Sequence, residues 1–313
     1  MAKGFDVIVV GVGSMGASAC WHLAKKGLKV LGLEQGPIPN PEASFAGATR
    51  AIRLSYAEHP DYVPLLQGAY EKWEILEEEC GEELLRLTGA LYMGPEEGDL
   101  VSGASRSAKE HDLSHSLYTH NELHQNWPQF KLPDSFVGLY EERAGYLLSE
   151  RAVEAFVKEA RRHGADIRGG QMVTSWSAGD TGVKVCTGGE EYFAEHLVMA
   201  AGAWVGKLLG NLDISLRVTR QVLGWVAPAY AEHFTADRFP VWVLDGNDGE
   251  GVYYGFPLTP DGSGGEGLKL ALHWPGREVD PVPVERGVNF GDDRDIKDAL
   301  NRFIPLGMGP VVS

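Results

Sequence analysis

A chain of 313 residues, 43% apolar and 23% charged, has enough apolar material for one large α/β domain or two interleaved ones. Its formal net charge of -16 repels phosphate backbones and argues against a nucleic-acid partner, and no apolar run is long enough to span a membrane. Three widely spaced cysteines, Cys20, Cys80 and Cys186, argue against a disulfide framework or a zinc site and fit a reducing, cytoplasmic setting. The opening "MAKGFDVIVVG" passes from one lysine straight into a strand pattern, with no signal-peptide cleavage site, and reads as structure.

The run "DVIVV" predicts a strand buried on both faces of a parallel sheet. "ASACWHLAKKG" follows as a helix with Gly27 as its stop, and "KVLGLE" is a second strand ending in Glu34. Between strand and helix lies "GVGSMG". Gly11 permits a tight turn, Gly13 a close backbone approach to a pyrophosphate, and Gly16 close helix–strand packing. Ser14 and Met15 stand at the helix N-terminus, where free N–H groups and the positive dipole end favour phosphate. Glu34 is placed to accept hydrogen bonds from a ribose hydroxyl pair. The bare pattern also fits a glycine turn with no ligand; strand, helix and acid together favour a bound dinucleotide.

After Pro37, Pro39 and Pro41 comes "SFAGATRAIRLSYAEHPDY", then an amphipathic helix over about 62–80. "TGALYMG" (88–94) reads as a strand and 95–145 as mixed helix and loop. "LLSERAVEAFVKEARRHG" predicts a helix with Ser149 as N-cap, an apolar stripe of Val153, Phe156, Val157 and Ala160, and Gly164 as its stop. "QMVTSW", "VKVCT" and "EYFAEHLVMAAGAWV" form a meander whose last strand returns to the first sheet, ahead of a helical "VGKLL". From about 219 onward, "RQVLGWVAPA", "FPVWVLD", "GVYYGFP" and "GLKLALHW" alternate as strands of an antiparallel sheet, before a final helix over 295–305. The layout predicts an α/β protein. A Rossmann-like dinucleotide domain with a parallel sheet (1–87 and 147–218) is interleaved with an α+β substrate domain built on an antiparallel sheet (88–146 and 219–313).

Arg50 and Arg53, three apart in "GATRAIR", would share a face on a helical turn, and a guanidinium fork suits a carboxylate. Surface arginines answering Glu58, Asp61 or Glu71 would look the same. In "GLKLALH", alternation sets Leu268, Leu270 and Leu272 against Lys269, Ala271 and His273, a pattern that a solvent-facing strand shares. Tyr253 and Tyr254 must face opposite ways, and Cys20 reads as a small buried residue.

The motifs "DVIVVGVGSMG", "GATRAIR", "YVPL", "TGALYMG", "MAAGAW", "TRQVLGW", "VYYGFP" and "GLKLALH" resemble, in order and over nearly the whole chain, the monomeric sarcosine oxidase and N-methyltryptophan oxidase family of flavoenzymes. The resemblance implies that the dinucleotide is FAD. It implies oxidation of a secondary amine on a small N-methyl or cyclic amino acid, with hydride passed to flavin, dioxygen reduced to hydrogen peroxide, and the imine hydrolysed. It places Arg50 beside the flavin, Arg53 on the substrate carboxylate, Lys269 as the oxygen-activating lysine, and Tyr254 and His273 in the substrate pocket. To the cofactor it further assigns Ser44, Thr49, Val173, Ala201, Gly202 and Trp204, and it favours a monomer.

Two departures stand out. Phe45 and Ala46 replace polar groups, a histidine among them, that the family shows near the flavin. After "RFIPLGMGPVVS" the family continues for several tens of residues, carrying the cysteine that bonds flavin covalently and a lysine that shares the substrate carboxylate. None of the three cysteines here matches that one. The resulting expectation is an incomplete version of the enzyme, ending at the start of a strand with sheet edge uncovered; were 313 residues the whole chain, FAD would be held non-covalently and turnover would be weak or absent. The alternatives are a nicotinamide-dependent dehydrogenase and a non-catalytic dinucleotide-binding remnant.

Overall fold

The apolar run after Gly4 forms strand β1 (Phe5–Val10), which leads through the glycine turn into helix α1 (Ser14–Lys25) and strand β2 (Val30–Leu33). The structure is a computed structural model that describes residues 4–210, 214–246, 251–274, 276–281 and 287–313. Next come β3 (Thr49–Ile52), α2 (Tyr62–Cys80), β4 (Leu85–Leu87), β5 (Ala90–Pro95) and α3 (Asp99–Glu110). Strand β6 (Ser116–Tyr118), α4 (His120–Asn126), β7 (Phe136–Glu141), β8 (Gly145–Leu148), α5 (Ser149–Arg162) and β9 (Asp166–Arg168) follow. The meander is β10 (Val173–Gly179), β11 (Gly182–Thr187) and β12 (Glu191–Met199), and a short α6 (Val205–Leu208) comes after it. The remainder holds β13 (Thr219–Arg220), β14 (Leu223–Val226), β15 (Val241–Asp245), β16 (Val252–Gly255), β17 (Leu268–Trp274), β18 (Arg277–Glu278) and α7 (Arg294–Phe303).

Two large sheets organise the chain. The first runs β10-β11-β12-β1-β2-β9, with β12, β1, β2 and β9 mutually parallel and the meander antiparallel at one edge. Every other residue of β1 serves a different face, which is why the run is apolar throughout. Val7 and Val9 pack with Ala17, Trp21, Val153 and Phe156 of α1 and α5, whereas Ile8 and Val10 pack with Val173 and Val185 of the meander. The second sheet runs β14-β17-β16-β15-β5-β7-β6. Helix α7 covers one of its faces through Ile296, Leu300 and Phe303. Tyr146 and Leu148 of β8, in the small sheet β3-β8-β4, pack on the other. No helix among the described residues is long and apolar enough to cross a membrane.

Several sequence-based expectations change. The segment 95–145 is not only helix and loop: it contributes β6 and β7 to the second sheet. That sheet is also not wholly antiparallel, because β15 lies parallel to β5. "GATRAIR" forms strand β3 rather than a helical turn, pairing antiparallel with β8. Ser149 is the first residue of α5 rather than its cap, and its hydroxyl donates to Glu150 at 2.8 Å. Residues 311–313 form no strand, only a single bridge at Val311, and they lie along the outer edge of β14. Val311 bridges Val226, and the Trp225 N–H donates to the Ser313 carbonyl at 2.9 Å, so that edge is covered.

Candidate active site

The glycine turn is shaped by close approach. Gly11 has φ +89°, and a Cβ there would fall onto the Ala200 carbonyl, 2.8 Å from its carbon. A Cβ at Gly16 would collide with the Gly11 carbonyl, 2.9 Å from its carbon, so α1 can sit this near β1 only without a side chain there. Gly13 caps α1 with no side-chain acceptor, and no acid stands in the first turn, which leaves the N-terminal amides free for an anion.

In front of this turn opens a cavity of about 790 Å³. Gly11, Gly13, Ser14 and Met15 line it from the turn, and Glu34 from the end of β2. Ser44 lines it from the loop after β2, Val173 from β10, and Ala201, Gly202 and Trp204 from the turn after β12. Gly16, Thr49 and Arg50 do not line it; Gly16 lies behind the turn. Glu34, 5% exposed, ties the turn together: its carboxylate accepts from Val12 N (2.8 Å), Asn40 Nδ2 (2.9 Å) and Gly36 N (3.2 Å). Phe45 packs its ring beside Gly13 and gives this wall an apolar patch.

From the cavity rim at Ser44 and Phe45 the chain runs as a strap through β3 to Ser55, past the second sheet. Lys269, 1% exposed, reaches up from β17 and donates to Gly47 O (2.6 Å), Thr49 O (2.7 Å) and Thr49 Oγ1 (3.1 Å). Its Nζ also lies 4.5 Å from the Phe256 ring centre and 5.5 Å from that of Trp225. Burial, with Arg50 nearby, pushes this amine down from 10.5 to about 6. Arg50 donates to Ser44 O and Thr49 O at 2.7 Å and also to Ala46 O, so it staples the strap to itself. Glu150 at the start of α5 accepts from Gly47 N (2.7 Å) and Ala48 N (3.0 Å). Burial alone would raise this carboxyl, but the amides of Ala48 and Gly47 more than offset that and hold it low.

Three residues apart in extended chain, Arg50 and Arg53 serve opposite sides and share no partners. Arg53, its side chain 19% exposed, stacks 4.2 Å over the Tyr56 ring and sits 3.6 Å from Glu58. Its Nε is buried without a hydrogen-bond partner among the described residues. Burial opposes this charge, yet Tyr92, Tyr56, Glu58 and Glu141 more than offset the cost and raise its pKa. The sheet register sets Ala271, Tyr254, Val243 and Tyr92 side by side across β17, β16, β15 and β5. Burial raises the Tyr254 phenol, which lies edge-on to His273 at 5.9 Å. His273 is exposed, at the outer end of the face where Lys269 is buried.

Sequence reasoning missed Glu150, Asn40 and Glu141. Glu141 left a trace: an acid in phase with Val137 and Leu139 in "FVGLYE", where a half-buried strand would carry an apolar residue.

The family described as FAD dependent oxidoreductase (DAO) matches residues 6–308. The monomeric sarcosine oxidase of Bacillus sp. (strain B-0618) is 35% identical over 314 residues, covering 99% of this chain and 79% of its own. That of Streptomyces avermitilis is 36% identical over 310 residues, covering 97% and 79%. The N-methyl-L-tryptophan oxidase of Yersinia pestis (strain Pestoides F) is 31% identical over 307 residues, covering 97% and 80%. Among solved structures, NikD, an unusual amino acid oxidase essential for nikkomycin biosynthesis, superposes with TM-score 0.84 at 23% identity, covering 99% of this chain and 80% of its own. L-proline dehydrogenase from P. horikoshii gives TM-score 0.79 at 18% identity, covering 97% and 78%. These two likenesses speak to fold alone.

Proposed function

The chain belongs to the FAD-dependent oxidoreductase family, and from that premise we propose that it oxidises the secondary amine of a small N-methyl or cyclic amino acid. The nicotinamide alternative falls with this membership. The observation that carries the substrate reading is the Nε of Arg53, buried with no hydrogen-bond partner among the described residues, on the strap whose other end is held by Lys269. A carboxylate accepting from Arg53 would satisfy that donor through the guanidinium edge.

The residues around the glycine turn fit FAD. The free amides of α1 suit its pyrophosphate, and Glu34, with three N–H donors on a carboxylate of about four acceptor sites, keeps capacity for a ribose hydroxyl. When bound, FAD accepts the hydride equivalent and hands it to dioxygen, giving hydrogen peroxide. The protein's own groups bind and orient. Arg53 holds the carboxylate, and Tyr254 and Tyr92 wall the substrate side, with His273 at its mouth. Lys269, its Nζ held by Gly47 O, Thr49 O and Thr49 Oγ1, fixes an amine that, when protonated, puts positive charge near where negative charge develops on oxygen. Arg50 and Thr49 hold the strap that joins cofactor wall to substrate wall. In this reading 1–87 and 147–218 serve FAD, 88–146 and 219–313 serve the substrate, and the protein works as a cytoplasmic monomer.

The visible spectrum of the purified protein, before and after acid precipitation, tests the cofactor: yellow colour is expected, leaving with the supernatant if FAD is non-covalent and with the pellet if it is covalently linked, and a colourless protein would count against FAD. Peroxide release on adding sarcosine, N-methyltryptophan or pipecolate tests the reaction. A flavin-loaded protein that yields no peroxide and no flavin bleaching with any secondary amino acid would overturn the assignment.

A further inference from the structure

The buried acid Glu141, at the end of β7, entered above only as one of the charges that favour the Arg53 guanidinium, and its own hydrogen bonds say more. It is 1% exposed, and its carboxylate faces two consecutive backbone amides: Oε1 accepts from Leu54 N at 2.7 Å and Oε2 from Ser55 N at 2.7 Å. The Tyr92 hydroxyl adds a longer contact to Oε2 at 3.4 Å. These amides directly follow Arg53. Glu141 therefore grips the strap at the end that Lys269 does not reach.

The two grips share a row of the second sheet. Glu141 pairs with Ala90, Ala90 with Val241, and Phe256 donates its N–H to the Lys269 carbonyl at 2.9 Å. One buried amine thus binds the strap's carbonyls while one buried carboxylate binds its amides. A rigid sheet fixes the spacing between them.

We propose that Glu141 is a positioning residue for Arg53, fixing the backbone at 54–55 so that the guanidinium meets the substrate carboxylate without reorganising. The inference rests on Arg53 as the carboxylate ligand. Only a carboxylate can accept from both amides. Glutamine keeps the shape but turns an NH₂ toward one of them, leaving a buried N–H without an acceptor.

The test uses the FAD-loaded full chain and two probes: methoxyacetate, an isostere of sarcosine with an ether oxygen in place of the amine, and its neutral amide, methoxyacetamide. Binding is followed by the change in the flavin spectrum. Glu141→Gln is expected to weaken methoxyacetate about 10- to 100-fold while leaving methoxyacetamide nearly unchanged, and to raise KM for the oxidised amino acid more than it lowers kcat. Glu141→Asp keeps the charge but withdraws it by one methylene, and is expected to show a smaller loss with the same preference. Equal losses for both probes, or none, would overturn the positioning role; the Asp variant decides if the Gln variant does not fold. Arg53→Met separates the two readings. If it leaves methoxyacetate binding intact, the carboxylate assignment and the inference fall together; if it abolishes binding while Glu141→Gln does nothing, only the inference falls.

Discussion

Replacing Lys269 by methionine tests whether a buried amine at this site titrates with folding. Burial lowers its pKa from 10.5 to about 6, so between those values the unfolded chain binds a proton that the folded chain does not. Stability therefore rises with pH across this window, by about 1.4 kcal/mol for each unit. At pH 7 the lysine leaves the fold on the order of 5 kcal/mol short of its value above pH 10.5. Methionine removes the titration. It also removes the amine's hydrogen bonding to Gly47 O, Thr49 O and Thr49 Oγ1, of which the neutral amine's two N–H groups can serve two at a time, a loss of about 1 kcal/mol for each bond. That loss shifts the comparison but not its slope. Urea denaturation of wild type and Lys269→Met, both FAD-loaded and followed by tryptophan fluorescence at pH 7, 8 and 9, reads the slope directly. Wild type is expected to gain on the variant by about 1.4 kcal/mol per unit as pH rises. A difference that stays flat over this range would show the amine equally protonated in both states and would refute the reasoning.

Other outcomes follow from the same geometry. Gly16→Ala is expected to weaken FAD binding by more than about 10-fold, because the new methyl drives α1 off the Gly11 carbonyl. Gly27→Ala, strained at φ +84° but with no atom within 4 Å, should cost about 1 kcal/mol of stability and leave FAD affinity alone. A flavin titration in which both variants bind equally would sink that distinction. Arg53→Lys keeps the charge but loses the planar fork, and is expected to raise KM about 10-fold or more with a smaller change in kcat; equal KM values would count against a two-point carboxylate contact. Cys20 is fully buried with its thiol pushed up to about 12, whereas Cys80 and Cys186 are part-exposed. An aromatic disulfide reagent should therefore label two thiols in the native protein and three after denaturation. Rapid labelling of all three would mean that α1 opens readily.

The features legible in the sequence were those with local signatures. β1, α1 and β2 each announce themselves by period and punctuation, and the glycines between them mark a turn that only close backbone approach explains. Alternation in "GLKLALH" correctly opposed Lys269 to the leucines. It could not say that both faces are buried, because burial of that lysine depends on a strap more than 200 positions earlier in the chain. The strap itself was misread. "GATRAIR" has no strand signature strong enough to override a helical reading, and it is extended because β8 pairs with it. The Glu141 trace could not be interpreted for the same reason: its role is defined by two amides 87 and 86 positions away. Local pattern fixes elements, whereas a buried charge is explained by its distant partner.

The pairing of β1 with β12 sets Val7 against His196, and that of β5 with β15 sets Tyr92 against Val243. Each sheet is thus closed by strands that leave the ribosome long after their neighbours. Until then β1 and β5 are each paired on one side only, with β2 and β7, and their other edges stay open. Loop-closure entropy delays both late pairings, so completing each sheet is expected to be a slow step of folding.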